Sequence, residues 1–190
     1  MRRSTVTAAA FTLLSLLGTS DLRAQTSTVS LGIGAGMAMP LSEFNRSAIP
    51  GYRILGTMAV RVPIFPVGFR FDAAYDHFNV DDPIPMSSAG PQGWKQLTSL
   101  TLSPTYDIPV PTTLVTPYLI AGAGAYSVSC GGQIVCESNW HFGWNGGMGF
   151  KFGAYKIHLF AEARYNYVSA SGDNQGGNVQ YVPITIGAYF

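Results

Sequence analysis

The chain has 190 residues, of which 47% are hydrophobic and only 11% are charged, with a formal net charge of +1. Soluble domains typically carry about 25% charged residues, so this composition argues against an exterior that faces water on all sides. A nearly neutral chain also lacks the basic surface that binds nucleic acid, and we expect no nucleic-acid partner.

The first 24 residues have the pattern of a secretory signal peptide. Arg2 and Arg3 precede an apolar stretch from Val6 to Leu17, which is too short to span a membrane as a helix. Small or polar residues continue to Ala24, where we expect cleavage, with cleavage after Ser20 as the alternative. Residues 25–190 are then expected to form one domain.

Eight segments of that domain show the period-two alternation of β-strands. They are residues 29–39, 52–62, 68–78, 96–106, 117–127, 141–152, 157–167 and 181–190. Pro40 is expected to end the first strand because proline cannot donate to a ladder. The fifth segment does not reveal its inward face, since both faces are small or apolar. Each segment has the length that a tilted strand needs to cross a bilayer.

The connections between these segments alternate in length. Longer polar stretches follow the first, third, fifth and seventh segments, at residues 41–51, 79–95, 128–140 and 169–178, while short turns follow the second, fourth and sixth. An even number of strands with this alternation predicts an all-β fold, an eight-stranded antiparallel up-and-down transmembrane β-barrel. Closure would leave no strand edge exposed to lipid.

The segment at residues 181–190 reads YVPITIGAYF, with Val182, Ile184, Ile186 and Phe190 on one apolar face. This ending looks like the C-terminal insertion signal of outer-membrane barrels. GFRFDAAYDHF and LFAEARYNY resemble strands of small outer-membrane β-barrel proteins, the group that includes the OmpA membrane domain, OmpX and the opacity-type proteins. The resemblance covers essentially all of residues 25–190. It implies a bacterial outer-membrane location with both termini periplasmic, and outer-membrane lipids and the assembly machinery as partners.

Ionisable residues occupy the inward faces of several segments. They are Arg53, Arg61, Arg70, Asp72, Asp76, Lys151, Glu162 and Arg164. The interior of an eight-stranded barrel is just wide enough to be filled by side chains, and an unpaired buried charge costs several kcal/mol. We therefore expect a lumen-filling ion-pair network rather than paired acid–base catalysts, with Glu162 in reach of Arg53, Arg70 or Arg164.

The histidines do not form a catalytic pattern. A lipid A deacylase of this architecture would be expected to show a His closely followed by a Ser on a strand, whereas His141 begins HFGWN. His158 lies four residues before Glu162 on the same face, and we expect it to make a hydrogen bond in the lumen. No His or Cys cluster has metal-ligand spacing, so we expect neither an enzyme nor a metal or other cofactor.

Cys130 and Cys136 are the only cysteines, and both fall in the third long connection. The oxidising environment of a secreted protein favours a disulfide between them. Closing so short a loop would stabilise the fold by about 2–3 kcal/mol. A metal or redox pair is the alternative, although neither cysteine has a histidine nearby on the loop.

Aromatic residues fall near both ends of the segments, as in the two belts that membrane proteins place at the headgroup levels. Near the long connections these are Tyr52, Tyr75, Trp94, Trp140, Trp144, Tyr165 and Tyr167; near the short turns they are Tyr106, Tyr118, Phe150, Phe152, Tyr189 and Phe190. A carbohydrate-binding platform is the alternative for Trp94 and Trp140 only.

The sequence thus predicts an integral outer-membrane barrel with a structural or surface-interaction role, and it does not identify an extracellular ligand. A narrow pore for small solutes, in the manner of a porin, is the alternative. A soluble ligand-binding barrel of the lipocalin type would need apolar residues inside and polar residues outside. The third and seventh segments show the reverse, because Arg70 and Asp72 alternate with Phe71 and Ala73.

Overall fold

The computed structural model describes residues 29–41, 48–61, 67–80, 93–111, 114–132, 139–154, 157–169 and 178–190; the predicted signal peptide lies outside these ranges. The strands are β1 (Val29–Leu41), β2 (Gly51–Arg61), β3 (Val67–Val80), β4 (Gly93–Asp107), β5 (Val115–Gly132), β6 (Trp140–Ala154), β7 (Ile157–Val168) and β8 (Val179–Tyr189). Within these ranges no helix is long and apolar enough to cross a membrane, a finding that does not bear on crossing by strands.

The eight strands form a closed antiparallel barrel in which each strand pairs with its sequence neighbours and β8 pairs with β1. The predicted up-and-down topology is confirmed. Phe190 lies just beyond the end of β8 but continues its pairing, because Phe190 and Leu31 exchange backbone hydrogen bonds of 2.8 and 3.2 Å.

The register of the strands sets the tilt and the width of the barrel. The paired positions lead from Leu31 through all seven other strands and return to β1 at Leu41, ten residues further along the chain. With ordinary strand spacings, this stagger over eight strands corresponds to a tilt of about 40° from the barrel axis. Side chains fill the interior of a barrel of this size.

The two faces of the wall differ as the alternation predicts. In β3, Arg70 is 1% exposed while its neighbour Phe71 is 43% exposed, and in β8 Ile186 is 66% exposed. The structure also shows which residues of β5 face the lumen, a point that the sequence left ambiguous. Its inward residues include Tyr118, Ile120, Tyr126 and Val128.

Pro40 does not end β1, contrary to the sequence prediction, because the strand continues through it to Leu41. The hydrogen bonds of Leu31 with Phe190 show that odd-numbered residues of β1 direct their N–H groups toward β8. The nitrogen of Pro40 therefore faces β2, and the pairing with β2 already ends at Ala38. No ladder bond is lost at this position, so proline is tolerated.

The long connections after β3 and β5 are shorter than predicted. β3 continues to Val80, β4 begins at Gly93 and β5 continues to Gly132. The polar composition suggested loops. Buried apolar side chains lie beside or within the extensions: Phe78 and Leu97 next to the first two, and Val128 at the start of the third. These side chains belong to a cluster at the long-loop end of the lumen, here called the apolar cap, which also contains Ala38, Ala48, Tyr126, Val168, Val179 and Tyr181.

Two prolines coincide with interruptions in the wall. The β4–β5 register skips the positions between Leu102 and Thr105, around Pro104. The β7–β8 register skips the positions between Ile184 and Tyr181, around Pro183. Proline has no N–H group, so a ladder bond is missing wherever its nitrogen faces a partner strand.

Candidate functional site in the barrel lumen

Arg70 of β3 lies at the centre of a group of buried charges. Its Nη1 and Nη2 atoms donate to Oε2 and Oε1 of Glu162 on β7, at 2.7 and 2.8 Å. Its Nε atom donates to Oδ1 of Asp72 at 2.8 Å. A guanidinium that meets a carboxylate through two parallel hydrogen bonds makes one of the strongest polar contacts in proteins.

Arg164 completes the charge balance of this group. Its Nη2 atom donates to Oδ2 of Asp72 at 2.7 Å, and its Nε atom lies 2.9 Å from Oε1 of Glu162. Two arginines thus face two carboxylates, and mutual compensation offsets part of the cost of taking four charges out of water.

Two tyrosines add hydroxyl groups to the four charges. Tyr118 donates to Oε2 of Glu162 at 2.6 Å, and Tyr189 accepts from Nη1 of Arg70 at 3.2 Å. The six residues Arg70, Asp72, Glu162, Arg164, Tyr118 and Tyr189 are called the lumen network below. The prediction that Tyr118 and Tyr189 belong to the lipid-facing belt was wrong, because both are buried in the lumen.

A second polar group lies closer to the long-loop end. Nη1 of Arg53 is 3.3 Å from Oδ1 of Asp76, and the hydroxyl of Tyr181 donates to Oδ2 of Asp76 at 3.0 Å. Tyr126 links two amides, since its hydroxyl donates to Asn166 and accepts from Asn145. These six residues, Arg53, Asp76, Tyr126, Asn145, Asn166 and Tyr181, are called the upper polar group.

The upper polar group is less completely hydrogen-bonded than the lumen network. Nε of Arg53, Oδ1 of Asn145 and Nδ2 of Asn166 are buried and have no hydrogen-bond partner among the described residues. Buried polar atoms are nearly always paired, and internal water is the usual partner where protein groups are lacking. The upper polar group, which shares Tyr126 and Tyr181 with the apolar cap, therefore offers sites for internal water.

Three residues expected inside the lumen lie at its rim instead. Arg61 is the last residue of β2, and its side chain is 65% exposed and pairs with Asp107 at 3.0 Å at the short-turn end. Lys151 contacts the other oxygen of Asp107. His158, expected to make a hydrogen bond in the lumen, is exposed near the start of β7. All three residues occupy positions that alternate in phase with the inward-facing residues of their strands, but they lie at the rim of the barrel. The alternation gives the face of the strand on which a residue lies and does not give its height along the barrel axis.

The predicted disulfide stays a prediction. Cys130 lies on β5 opposite Lys95 of β4, whereas Cys136 is outside the described residues. Over the described part of the chain, no three His, Cys, Asp or Glu residues are grouped so that they could hold a metal ion.

The architecture is shared with several solved structures. The chain is similar to the crystal structure of Neisserial surface protein A (NspA), with a TM-score of 0.65 and 20% sequence identity over 86% of this chain and 96% of that one. The chain has the fold of the small outer-membrane β-barrels. It is also similar to a major outer membrane protein from Thermus thermophilus (TM-score 0.52, 14% identity, 86% and 99% of the two chains). OprG from Pseudomonas aeruginosa gives a TM-score of 0.50 at 13% identity over 85% and 95%.

The family resemblance expected from the sequence is thereby confirmed at the level of the fold. No protein-family model and no curated protein matches the chain.

Proposed function

We propose that residues 25–190, after removal of a signal peptide, form an integral barrel of a bacterial outer membrane with a structural or surface-interaction role. The observation that carries this proposal is the division of the wall into two faces. Large apolar side chains such as Ile33, Phe142 and Ile186 are more than 60% exposed on the outside, while charged groups are buried inside. Such an exterior suits lipid, and a closed sheet satisfies the backbone within it.

The proposed orientation puts the termini and the short turns in the periplasm and the long loops outside the cell. Short periplasmic turns and longer outer loops are the usual asymmetry of such barrels. The assembly machinery would then read Val182, Ile184, Ile186 and Phe190 at the periplasmic end of β8.

A closed lumen is proposed in preference to a pore. The lumen network crosses the interior between β3 and β7, and the apolar cap covers the long-loop end with side chains such as Phe78 and Leu97, both 0% exposed. Both features support a filled interior. The ion-paired residues of the lumen network also have a structural role, so their presence does not require an enzymatic activity.

Migration in detergent gels tests the membrane barrel. The unboiled protein is expected to migrate differently from the boiled protein, because a closed barrel resists unfolding until its ladders open. Identical migration, together with recovery in the soluble fraction, would contradict the proposal.

Conductance in planar lipid bilayers separates the structural role from the pore. The wild-type barrel is expected to give no discrete current steps. Steps of reproducible size in the wild type, absent after boiling, would instead establish a water column through the lumen and favour the pore.

A further inference from the structure

Three aromatic rings stand in a row on the outer face of the barrel near the long-loop end. Tyr52 of β2 stacks on His77 of β3, with ring centroids 5.1 Å apart and an interplanar angle of 22°. His77 is followed by Trp94 of β4 at 6.0 Å. The indole of Trp94 lies against Gly131 of β5, where a Cβ atom would overlap with the ring. Tyr52, His77 and Trp94 are called the aromatic row.

Near the aromatic row, the outward residues of the barrel change from apolar to polar. Along β4 the outward residues pass from Leu102 and Leu100 through Thr98 to Gln96 and Trp94, and the last outward residue of β3 is Asn79. Trp94 lies six residues beyond Leu100, about 20 Å along the strand. A tilt of about 40° converts this to about 15 Å of height above Leu100, which is half the thickness of the hydrocarbon region. Trp94 thus lies toward the long-loop end from the apolar outward residues of β4.

Amide side chains flank the row at the same height. Asn79 is the cross-strand partner of Trp94, and Gln96 is the partner of His77. Amides offer both donors and acceptors, and an indole offers a flat apolar face. Together they match a sugar ring, whose C–H face packs on an aromatic ring while its hydroxyl groups pair with the amides.

We propose that the aromatic row and its flanking amides bind the sugar headgroup of a glycolipid in the outer leaflet. The row is continuous with the lipid-facing wall at its lower end, so a molecule anchored in the membrane reaches it without leaving the leaflet. The described outward residues of β3 and β4 include no carboxylate, so phosphate groups on such a headgroup meet no repulsion there. This site rests on the proposed membrane orientation.

The test compares two tryptophan variants of the full-length barrel in lipid nanodiscs. Trp94→Ala removes the sugar platform, while Trp140→Ala removes a more exposed tryptophan that lies outside the row, on β6. The discs contain phosphatidylglycerol with or without a small fraction of rough lipopolysaccharide, and native mass spectrometry counts the glycolipid retained. Retention is expected to fall at least fivefold in Trp94→Ala, about 1 kcal/mol at 1.4 kcal/mol per tenfold, and to be unchanged in Trp140→Ala.

Equal retention by the wild type and Trp94→Ala would overturn the site. So would equal losses in the two variants, which would indicate a general effect of belt residues. Failure of the wild type to enter either disc would overturn the membrane barrel itself.

A separate measurement addresses orientation: Asn79→Cys is expected to react with an impermeant maleimide on intact cells above the wild-type background. Labelling only after permeabilisation would overturn the outer-leaflet assignment.

Discussion

Arg70 and Glu162 meet across the lumen through two parallel hydrogen bonds, at 2.7 and 2.8 Å, although 92 positions separate them in the chain. They belong to β3 and β7, which are not neighbours in the sheet. The pair therefore connects two separated parts of the wall. Both side chains are buried, so each charge depends on its partners for compensation.

Glu162→Ala is expected to destabilise the folded barrel by about 3–5 kcal/mol, because it leaves an uncompensated positive charge in the lumen. Urea titration of the detergent-refolded protein, followed by tryptophan fluorescence, measures the change. Arg61→Ala is the matched control, since it breaks an exposed ion pair at the rim, with an expected cost of about 0–1 kcal/mol. Equal costs for the two variants would show that the lumen charges are not buried as described.

Removing Arg70 and Glu162 together is expected to cost less than removing Glu162 alone. Asp72 and Arg164 remain as a balanced pair in the double variant, and apolar side chains of similar size often replace buried ion pairs with little loss. Unfolding energies of Arg70→Met, Glu162→Met and the double variant complete a double-mutant cycle. Additive losses would contradict direct coupling between the two residues.

Tyr118→Phe tests the hydroxyl that donates to Glu162 at 2.6 Å. Hydrogen bonds to charged groups contribute about 1.5–3 kcal/mol, and the variant should lose an amount in this range. Tyr106→Phe, on the exposed outer face of β4, should change the unfolding free energy by less than about 0.5 kcal/mol. A loss shared by both variants would point to a general effect of removing a tyrosine hydroxyl rather than to the hydrogen bond with Glu162.

Sequence alternation was sufficient to place Arg70, Asp72, Glu162 and Arg164 on inward faces, since a period of two fixes the face of each residue in a strand. It could not provide their height in the barrel, because height depends on the stagger between strands. For this reason Arg61 was expected in the lumen although it lies at the rim.

Tyr118 was not assigned to the lumen because the small residues of β5 gave no signal of facing. Tyr189 has the opposite parity to Phe190, so its inward facing could have been assigned from the alternation of residues 181–190. The apolar cap was overlooked although a signal was present. Phe78 has the same parity as Arg70, and Leu97 the same parity as Ser99, so both could have been assigned inward. Both lie inside the predicted segments 68–78 and 96–106, but the inward positions beside them are polar, so an apolar layer was not expected there.

In a high-resolution crystal structure, ordered water is expected beside Nε of Arg53, Oδ1 of Asn145 and Nδ2 of Asn166. These buried atoms lack protein partners among the described residues, and internal water usually fills such positions. Rotated amides that satisfy all three atoms directly, without water, would contradict this prediction.

Phe190→Ala is expected to reduce outer-membrane yield in cells far more than it reduces stability in detergent. Its ring is 69% exposed on the lipid face, and its two backbone bonds to Leu31 do not depend on the side chain. The stability loss should stay below the roughly 1.5–3 kcal/mol of a fully buried ring. Phe150→Ala, an exposed ring toward the same end of the barrel, is the control. Equal cellular yields for the two variants would show that Phe190 is only another belt residue.

The interrupted pairing at Pro183 bears on how the folded barrel is lost. A closed sheet has no free edge, so it can open only where one ladder separates along its whole length. Between β7 and β8 the ladder is already divided into two shorter runs, His158–Ala163 and Asn166–Val168. We expect the lifetime of the folded state to be set by separation of the β7–β8 ladder rather than by the average stability of all eight ladders. Opening along this line would turn β8 into an edge strand that stays paired with β1 on its other side.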